Sequence, residues 1–229
     1  MTKIIADFHY ITQEINSLSH AQLAELACKS GIQWIQLRVK EKTHEAFLQM
    51  AKKTKAICEK YGSRFIVNDN VAIAKEAGAD GVHLGKDDMH PLKARQILGE
   101  KAIIGATANT IEDIIKLETC HVDYIGLGPF RFTTTKKKLS PVLGLEGFVK
   151  IANECQERDI RIPIIAIGGI QKEDVALLMD TGIHGIAVSS AINLAADQAK
   201  AAAEFLKTVQ ENPIRTIKNK HVSFNNNPS

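Results

Sequence analysis

A chain of 229 residues, 45% hydrophobic and 24% charged, has the apolar content for a full core, which excludes a largely disordered protein. Its net charge of +3 is too small to argue for nucleic acid, and Phe130 and Phe132 are a thin basis for a stacking platform. No apolar run approaches the roughly 20 residues that span a bilayer, and no signal-peptide pattern opens the chain, so a soluble, cytoplasmic protein without a membrane partner is expected.

In chain order, short apolar runs alternate with stretches of helical period. The expected strands are 4–7 or slightly later, 34–38, 65–68, 81–83, 103–105, 124–126, 164–167 and 185–188. Helix-like segments fall near 20–30, 44–61, 71–77, 91–98, 110–119, 145–158, 172–180 and 197–210. EAGADGVHL (76–84) returns in outline as DTGIHGIAV (180–188), each a helix that ends at a glycine and turns directly into a strand. Eight such units predict an α/β fold, a closed (β/α)8 TIM barrel built as a single domain over 1–212. An open doubly wound sheet is the runner-up, weakened by the lack of a GxGxxG opening the first helix. Residues 213–229 carry Arg215, Lys218, Lys220 and then NNNPS with little apolar period, and are expected to be a flexible tail. Cys28, Cys58, Cys120 and Cys155 form no CxxC pair and read as small apolar fillers of a reduced protein.

In a parallel barrel the working residues lie where strands end. Those positions hold Gln36, Arg38 and Lys40 after strand two, Asn68, Asp69 and Asn70 after strand three, and Lys86, Asp87 and Asp88 after strand four. Arg38 and Lys40 could close surface ion pairs, and Asn68 to Asn70 could cap the next helix, as Asp87 and Asp88 could. Yet carboxylates after neighbouring strands would meet at one rim, which suits Mg²⁺ shared with a diphosphate. Thr107 and Asn109 follow strand five. Strand six breaks at Gly126, Gly128 and Pro129 and runs into TTTKKK (133–138), whose hydroxyls and ammonium groups suit a diphosphate. Gly168 and Gly169 after strand seven, with Ser189 and Ser190 after strand eight, form a second phosphate signal. His83, between Val82 and Leu84, reads as a hydrogen-bonded core histidine and not as a ligand.

QLRVK, VNDN, GVHLGKDD, YIGLGPFRFTTTKK, IAIGGI and AVSSAI, in that order, resemble the thiamine-phosphate synthase family over about residues 30–192. The resemblance implies a transferase that condenses 4-amino-2-methyl-5-hydroxymethylpyrimidine diphosphate with 4-methyl-5-(2-hydroxyethyl)thiazole phosphate, or its carboxylate, releasing diphosphate and giving thiamine monophosphate. Carried over, it sets Gln36, Arg38, Lys40, Asn68, Thr107 and Lys136 on the pyrimidine diphosphate, with Arg38, Lys40 and Lys136 catalytic. Asp69 and Asp88 become Mg²⁺ ligands, Thr133 and Thr135 contact the thiazole partner, and Gly169, Ser189 and Ser190 hold its phosphate. Two features depart from the family: Thr107 and Asn109 stand where many relatives have serine and histidine, and Arg131-Phe132 where a Tyr-Pro pair is common. Two alternatives stay open, a thiazole tautomerase-like isomerase and a non-catalytic thiazole-phosphate-binding barrel. The tautomerase carries a catalytic histidine near the sixth loop, and this chain has none between His121 and His184. The expected partners are small molecules, with homo-oligomerisation left open.

Overall fold

In a computed structural model that describes residues 3–15, 17–132 and 141–213, the apolar runs become eight parallel strands closed into a barrel in sequential order. β1 (Phe8–Ile11) pairs with β2 (Trp34–Leu37) on one side and β8 (Gly185–Val188) on the other, which closes the ring. β3 (Arg64–Asn68), β4 (Gly81–Leu84), β5 (Ile103–Ala108), β6 (Tyr124–Leu127) and β7 (Ile164–Ala166) complete it. The helices outside are α1 (His20–Lys29), α2 (His44–Tyr61), α3 (Val71–Glu76), α4 (Pro91–Leu98), α5 (Ile111–Glu118) and α6 (Gly144–Glu157). α7 (Val175–Asp180) follows a 3-10 turn over Lys172–Asp174, and α8 (Ser190–Asn193) precedes α9 (Gln198–Glu211). None of the described helices is long and apolar enough to cross a membrane. Of the tail expected over 213–229, only Pro213 falls among the described residues.

Side chains alternate across each strand, and that alternation builds two cores. One row packs outward against the helices, with Ile35, Leu37, Phe65, Val67, Ile125 and Leu127 in the main cluster. The other row points into the barrel, where Trp34, Ile66, Ile103, Tyr124, Ile165 and Ala187 form a second cluster. Two residues further along the same inward row come Gln36 on β2 and Asn68 on β3, both buried and both lining the barrel's mouth. On β2 and β3 the inward row is thus apolar near the strand start and polar near its end, which sets the working face at the C-terminal mouth.

The first strand begins later than the apolar run at 4–7. Ile5 is buried in the inner cluster while Ile4 is 80% exposed, so this run is a plug under the barrel and not a strand. Lys3 Nζ donates to the Ala102 carbonyl at 2.7 Å and to Asp123 at 2.9 Å, and His184 Nε2–H donates to the Ile5 carbonyl at 2.8 Å. Sheet pairing starts only where Ile186 N–H reaches the Asp7 carbonyl at 2.8 Å.

Candidate active site

The mouth holds a cavity of about 770 Å³. Gln36, Arg38, Lys40, Asn68, Asp69, Asp88, Thr107, Gly169, Ser189 and Ser190, drawn from six strand ends, all line it. Thr133, Thr135 and Lys136 lie outside the described residues, with the rest of 133–140.

One side of the cavity is charged. The Arg38 backbone N–H donates to Thr12 Oγ1 at 3.2 Å, and Thr12 N–H donates to the Gln36 carbonyl at 2.9 Å, so the chain leaving β2 is tied to the chain leaving β1. Burial pulls the Arg38 guanidinium below its ordinary pKa, and the neighbouring Asp69 carboxylate partly offsets this. Asp69 itself sits at φ +66, and the Asn70 N–H returns to the Asn68 carbonyl at 2.8 Å, so Asp69 is the middle of a three-residue γ-turn. A non-glycine residue there carries backbone strain, and Asp tolerates it better than most. Asn70 caps α3, its side chain accepting from Ile73 N–H at 3.0 Å, as one of the two sequence readings has it.

Asp88 does not cap the next helix. His90 does that, and Asp88 Oδ2 instead accepts the Gly85 N–H at 2.6 Å, a short loop-closing bond after β4. Lys86 turns to Asp113 at 2.5 Å. Asp113 in turn accepts Asn109 N–H at 2.9 Å, while the Asn109 amide donates to the Gly128 carbonyl, so Asn109 ties the β5 loop to the end of β6. Among the described residues no group of three or more His, Cys, Asp or Glu side chains is placed to hold a metal. The rim offers Asp69 and Asp88 together, a carboxylate set that fits a Mg²⁺ completed by phosphate oxygens and water.

The opposite side is built from backbone and hydroxyls. Gly168 and Gly169 have φ of +93 and +70, a conformation that side-chain-bearing residues rarely adopt. A Cβ at Gly168 would lie 2.7 Å from Pro129 Cβ, and one at Gly169 would lie 2.9 Å from Arg131 Cβ. That close approach lets Phe130 N–H reach the Ile167 carbonyl and Arg131 N–H reach the Gly168 carbonyl, each at 2.9 Å. Leu143 N–H donates to the Pro129 carbonyl at 2.9 Å, so both roots of the segment after β6 are fastened beside the glycine pair. Ser189 is held by Asn193, whose Nδ2 donates to the Ile11 and Ser189 carbonyls at 2.9 Å while its Oδ1 accepts the buried Tyr10 hydroxyl at 2.5 Å.

The floor contains residues that the strand-end reading passes over. His9, His83 and Tyr124 all line the cavity from inward rows. His83 is buried and hydrogen-bonded, to Tyr124 Oη at 3.0 Å and Thr107 Oγ1 at 3.1 Å, as the sequence reading expects, but it is also part of the cavity wall. His9 lies parallel to Trp34 at 4.1 Å. Arg131 forms a two-pronged ion pair with buried Asp174, with Nη2 to Oδ1 at 2.6 Å, and no local pattern joins these two positions. For the floor a signal does exist: a lone polar residue inside an apolar run (FHYI, WIQL, GVHL) is the one that faces the barrel interior.

The fold and the cavity together define a (β/α)8-barrel enzyme with a polar mouth. Comparison with known proteins narrows this: the chain belongs to the thiamine monophosphate synthase family, whose profile matches residues 8–192. It is 47% identical over 197 residues to a thiamine-phosphate synthase of Bacteroides fragilis, covering 86% of this chain and 97% of that one. It is 52% identical over 166 residues to a thiamine-phosphate synthase of Flavobacterium psychrophilum, covering 72% and 81%. A solved thiamine phosphate pyrophosphorylase from Pyrococcus furiosus superposes with a TM-score of 0.80 at 33% identity, covering 90% of this chain and 96% of that one.

Proposed function

We propose that this chain is a thiamine-phosphate synthase, a transferase that joins the pyrimidine diphosphate to the thiazole phosphate and releases diphosphate. The observation that supports it most is that one cavity gathers the Arg38, Asp69 and Asp88 side and the Gly169, Ser189 and Ser190 side, two anion-suited regions facing a shared space. Arg38 and Lys40 would meet charge on the departing diphosphate, and burial of Arg38 strengthens that interaction by excluding water. Asp69 and Asp88 would hold Mg²⁺, which when bound neutralises diphosphate charge. Gly169 with Ser189 and Ser190 would take the thiazole phosphate and so hold the ring nitrogen near the reacting carbon.

An amino-pyrimidine delocalises positive charge onto its ring, so the CH₂–O bond can break before the C–N bond forms. The residues then need only stabilise the leaving group and keep water out; no strong general base is required. Thr133, Thr135 and Lys136 belong to this proposal as thiazole and diphosphate contacts on sequence grounds alone. The test is steady-state release of diphosphate with both substrates, with and without Mg²⁺. Release that needs both substrates supports the synthase. Isomerisation of a thiazole phosphate without diphosphate release would favour the tautomerase, and binding without turnover a non-catalytic barrel. The family's biosynthetic role supports a cytoplasmic location.

A further inference from the structure

The glycine pair after β7 is held at both of its ends by one residue of the loop after β6, Arg131. At the near end the Arg131 backbone N–H donates to the Gly168 carbonyl at 2.9 Å. At the far end its guanidinium grips the Asp174 carboxylate with two hydrogen bonds, Nη2 to Oδ1 at 2.6 Å and Nη1 to Oδ2. The same Oδ2 accepts the Gln171 N–H at 2.8 Å. Gly168, Gly169, Ile170 and Gln171 therefore close a ring with Arg131 and Asp174. Asp174 is 4% exposed, and the centre of the Phe130 ring lies 5.0 Å from Arg131 Cζ and braces it. Neither Arg131 nor Asp174 lines the cavity, whereas Gly168, Gly169 and Ile170 all do.

Two successive glycines benefit from such a ring. At φ of +93 and +70 they take a shape that only glycine adopts readily, and glycine also has the most backbone freedom to lose. Left untethered, the pair would have to be ordered each time a ligand bound. The tether also sets a direction. The Gly168–Gly169 peptide is trans, so its N–H points opposite to its carbonyl. That carbonyl faces Arg131 on the β6 side, and β7 lies between β6 and β8. The Gly169 N–H is thus turned to the β8 side, where Ser189 and Ser190 line the cavity. Among the described residues it makes no backbone hydrogen bond.

We propose that Arg131 and Asp174 are positioning residues that aim the Gly169 N–H at the phosphate of the thiazole substrate, so that the site tells the phosphorylated thiazole from its free alcohol. They touch no part of the substrate themselves. With the donor already aimed, the cost of ordering the glycines falls on folding and not on binding. The inference rests on the reading that Gly169, Ser189 and Ser190 take the thiazole phosphate.

Calorimetric titration of thiazole phosphate, and of the unphosphorylated thiazole alcohol, into wild type, Arg131→Ala, Arg131→Lys and Asp174→Asn reads the clamp directly. Arg131→Ala should weaken thiazole phosphate about fivefold to thirtyfold, the scale of ordering one backbone residue, and leave the alcohol unchanged. Arg131→Lys keeps the cation without the two-pronged grip, so it should recover part of the loss. Asp174→Asn keeps an acceptor for the Gln171 N–H but lacks the charge. It should cost about as much as Arg131→Ala, and the double variant no more than either alone. An equal loss for phosphate and alcohol would overturn the proposal, since the whole mouth would then have loosened. So would Asp174→Asn binding thiazole phosphate as tightly as wild type, because Arg131 would then reach the phosphate itself. A wild type that binds phosphate and alcohol equally would overturn the phosphate cup, and this inference with it. A wild type that prefers the phosphate yet releases no diphosphate would overturn the synthase reading and leave the clamp standing.

Discussion

His9 tests whether the barrel floor is as dry as its packing implies. Its imidazole is 1% exposed, lies on Trp34 and gives its Nε2–H to the Ala6 carbonyl at 2.9 Å. Burial first, then the neighbouring His83, hold its pKa well below the ordinary 6.5; the Ala6 bond opposes this and His184 adds to it. Below pH 6.5 the unfolded chain takes up a proton that the folded chain refuses. Stability that is fully present above 6.5 is therefore lost as the pH falls toward the folded value. One pH unit below 6.5 the loss from this group is about 1.4 kcal/mol. His9→Phe keeps a flat ring against Trp34 but gives up the bond to Ala6, a cost of about 1 kcal/mol at pH 8. The two stability curves should then cross at about pH 6, with the variant less stable above and more stable below. Urea unfolding followed by far-ultraviolet circular dichroism from pH 8 to pH 5 reads this directly. A constant offset between the curves would refute the reasoning, since His9 would then take its proton equally well folded and unfolded.

Other outcomes follow from the rim. Asp69→Ala or Asp88→Ala should lower turnover by roughly two to three orders of magnitude, the scale of losing one preorganised stabiliser of developing charge. Added Mg²⁺ should restore part of it, and wild-type activity undiminished in excess chelator would remove both residues from metal binding. Arg38→Ala should lower kcat about tenfold to a hundredfold, because the charge it meets grows as the C–O bond breaks; a change in KM alone would make it a docking residue. Arg131→Ala strips a buried Asp174 of its cation but leaves it the Gln171 N–H at 2.8 Å, so a loss of about 1–2 kcal/mol is expected. An unchanged melting temperature would mean that solvent screens the pair.

The repeating α/β pattern was legible because a barrel strand buried on both faces reads as a short apolar run and its helix as a 3.6-residue period. The strand-end residues were legible for a related reason, since the mouth is where polar residues follow directly on apolar ones. The plug at Ile5 was not, because an apolar run looks the same whether it pairs in a sheet or closes the bottom of one. The short helix α8 lies below the length at which period can be read. His9 and His83 were marked only as lone polar residues inside FHYI and GVHL, while in YIGL hydropathy does not separate the inward Tyr124 from the outward row. Arg131 and Asp174 are 43 residues apart, and only the approach of the β6 and β7 loops joins them.

The division between the two rows also separates what stabilises this chain from what it does. The outward row and the helices form the main cluster, and its large members Phe65, Phe148, Leu23 and Leu37 do not line the cavity. The inward row changes character between Trp34 and Gln36, two residues along a single strand. At that seam the barrel accepts arrangements that packing alone would not favour: Trp34 Nε1 is buried with no hydrogen-bond partner among the described residues, and Gly105 and Gly126 replace side chains that a core would normally use. Each glycine makes room for a ring whose polar atom meets a cavity residue, His83 at Gly126 and Tyr124 at Gly105. Gly126→Ala is the sharpest probe of this division, because its new methyl would press on His83 Cε1 and leave the outer core untouched. It should yield a folded barrel whose melting temperature shifts little and whose turnover falls; wild-type turnover would mean that His83 gives way at no cost to the cavity.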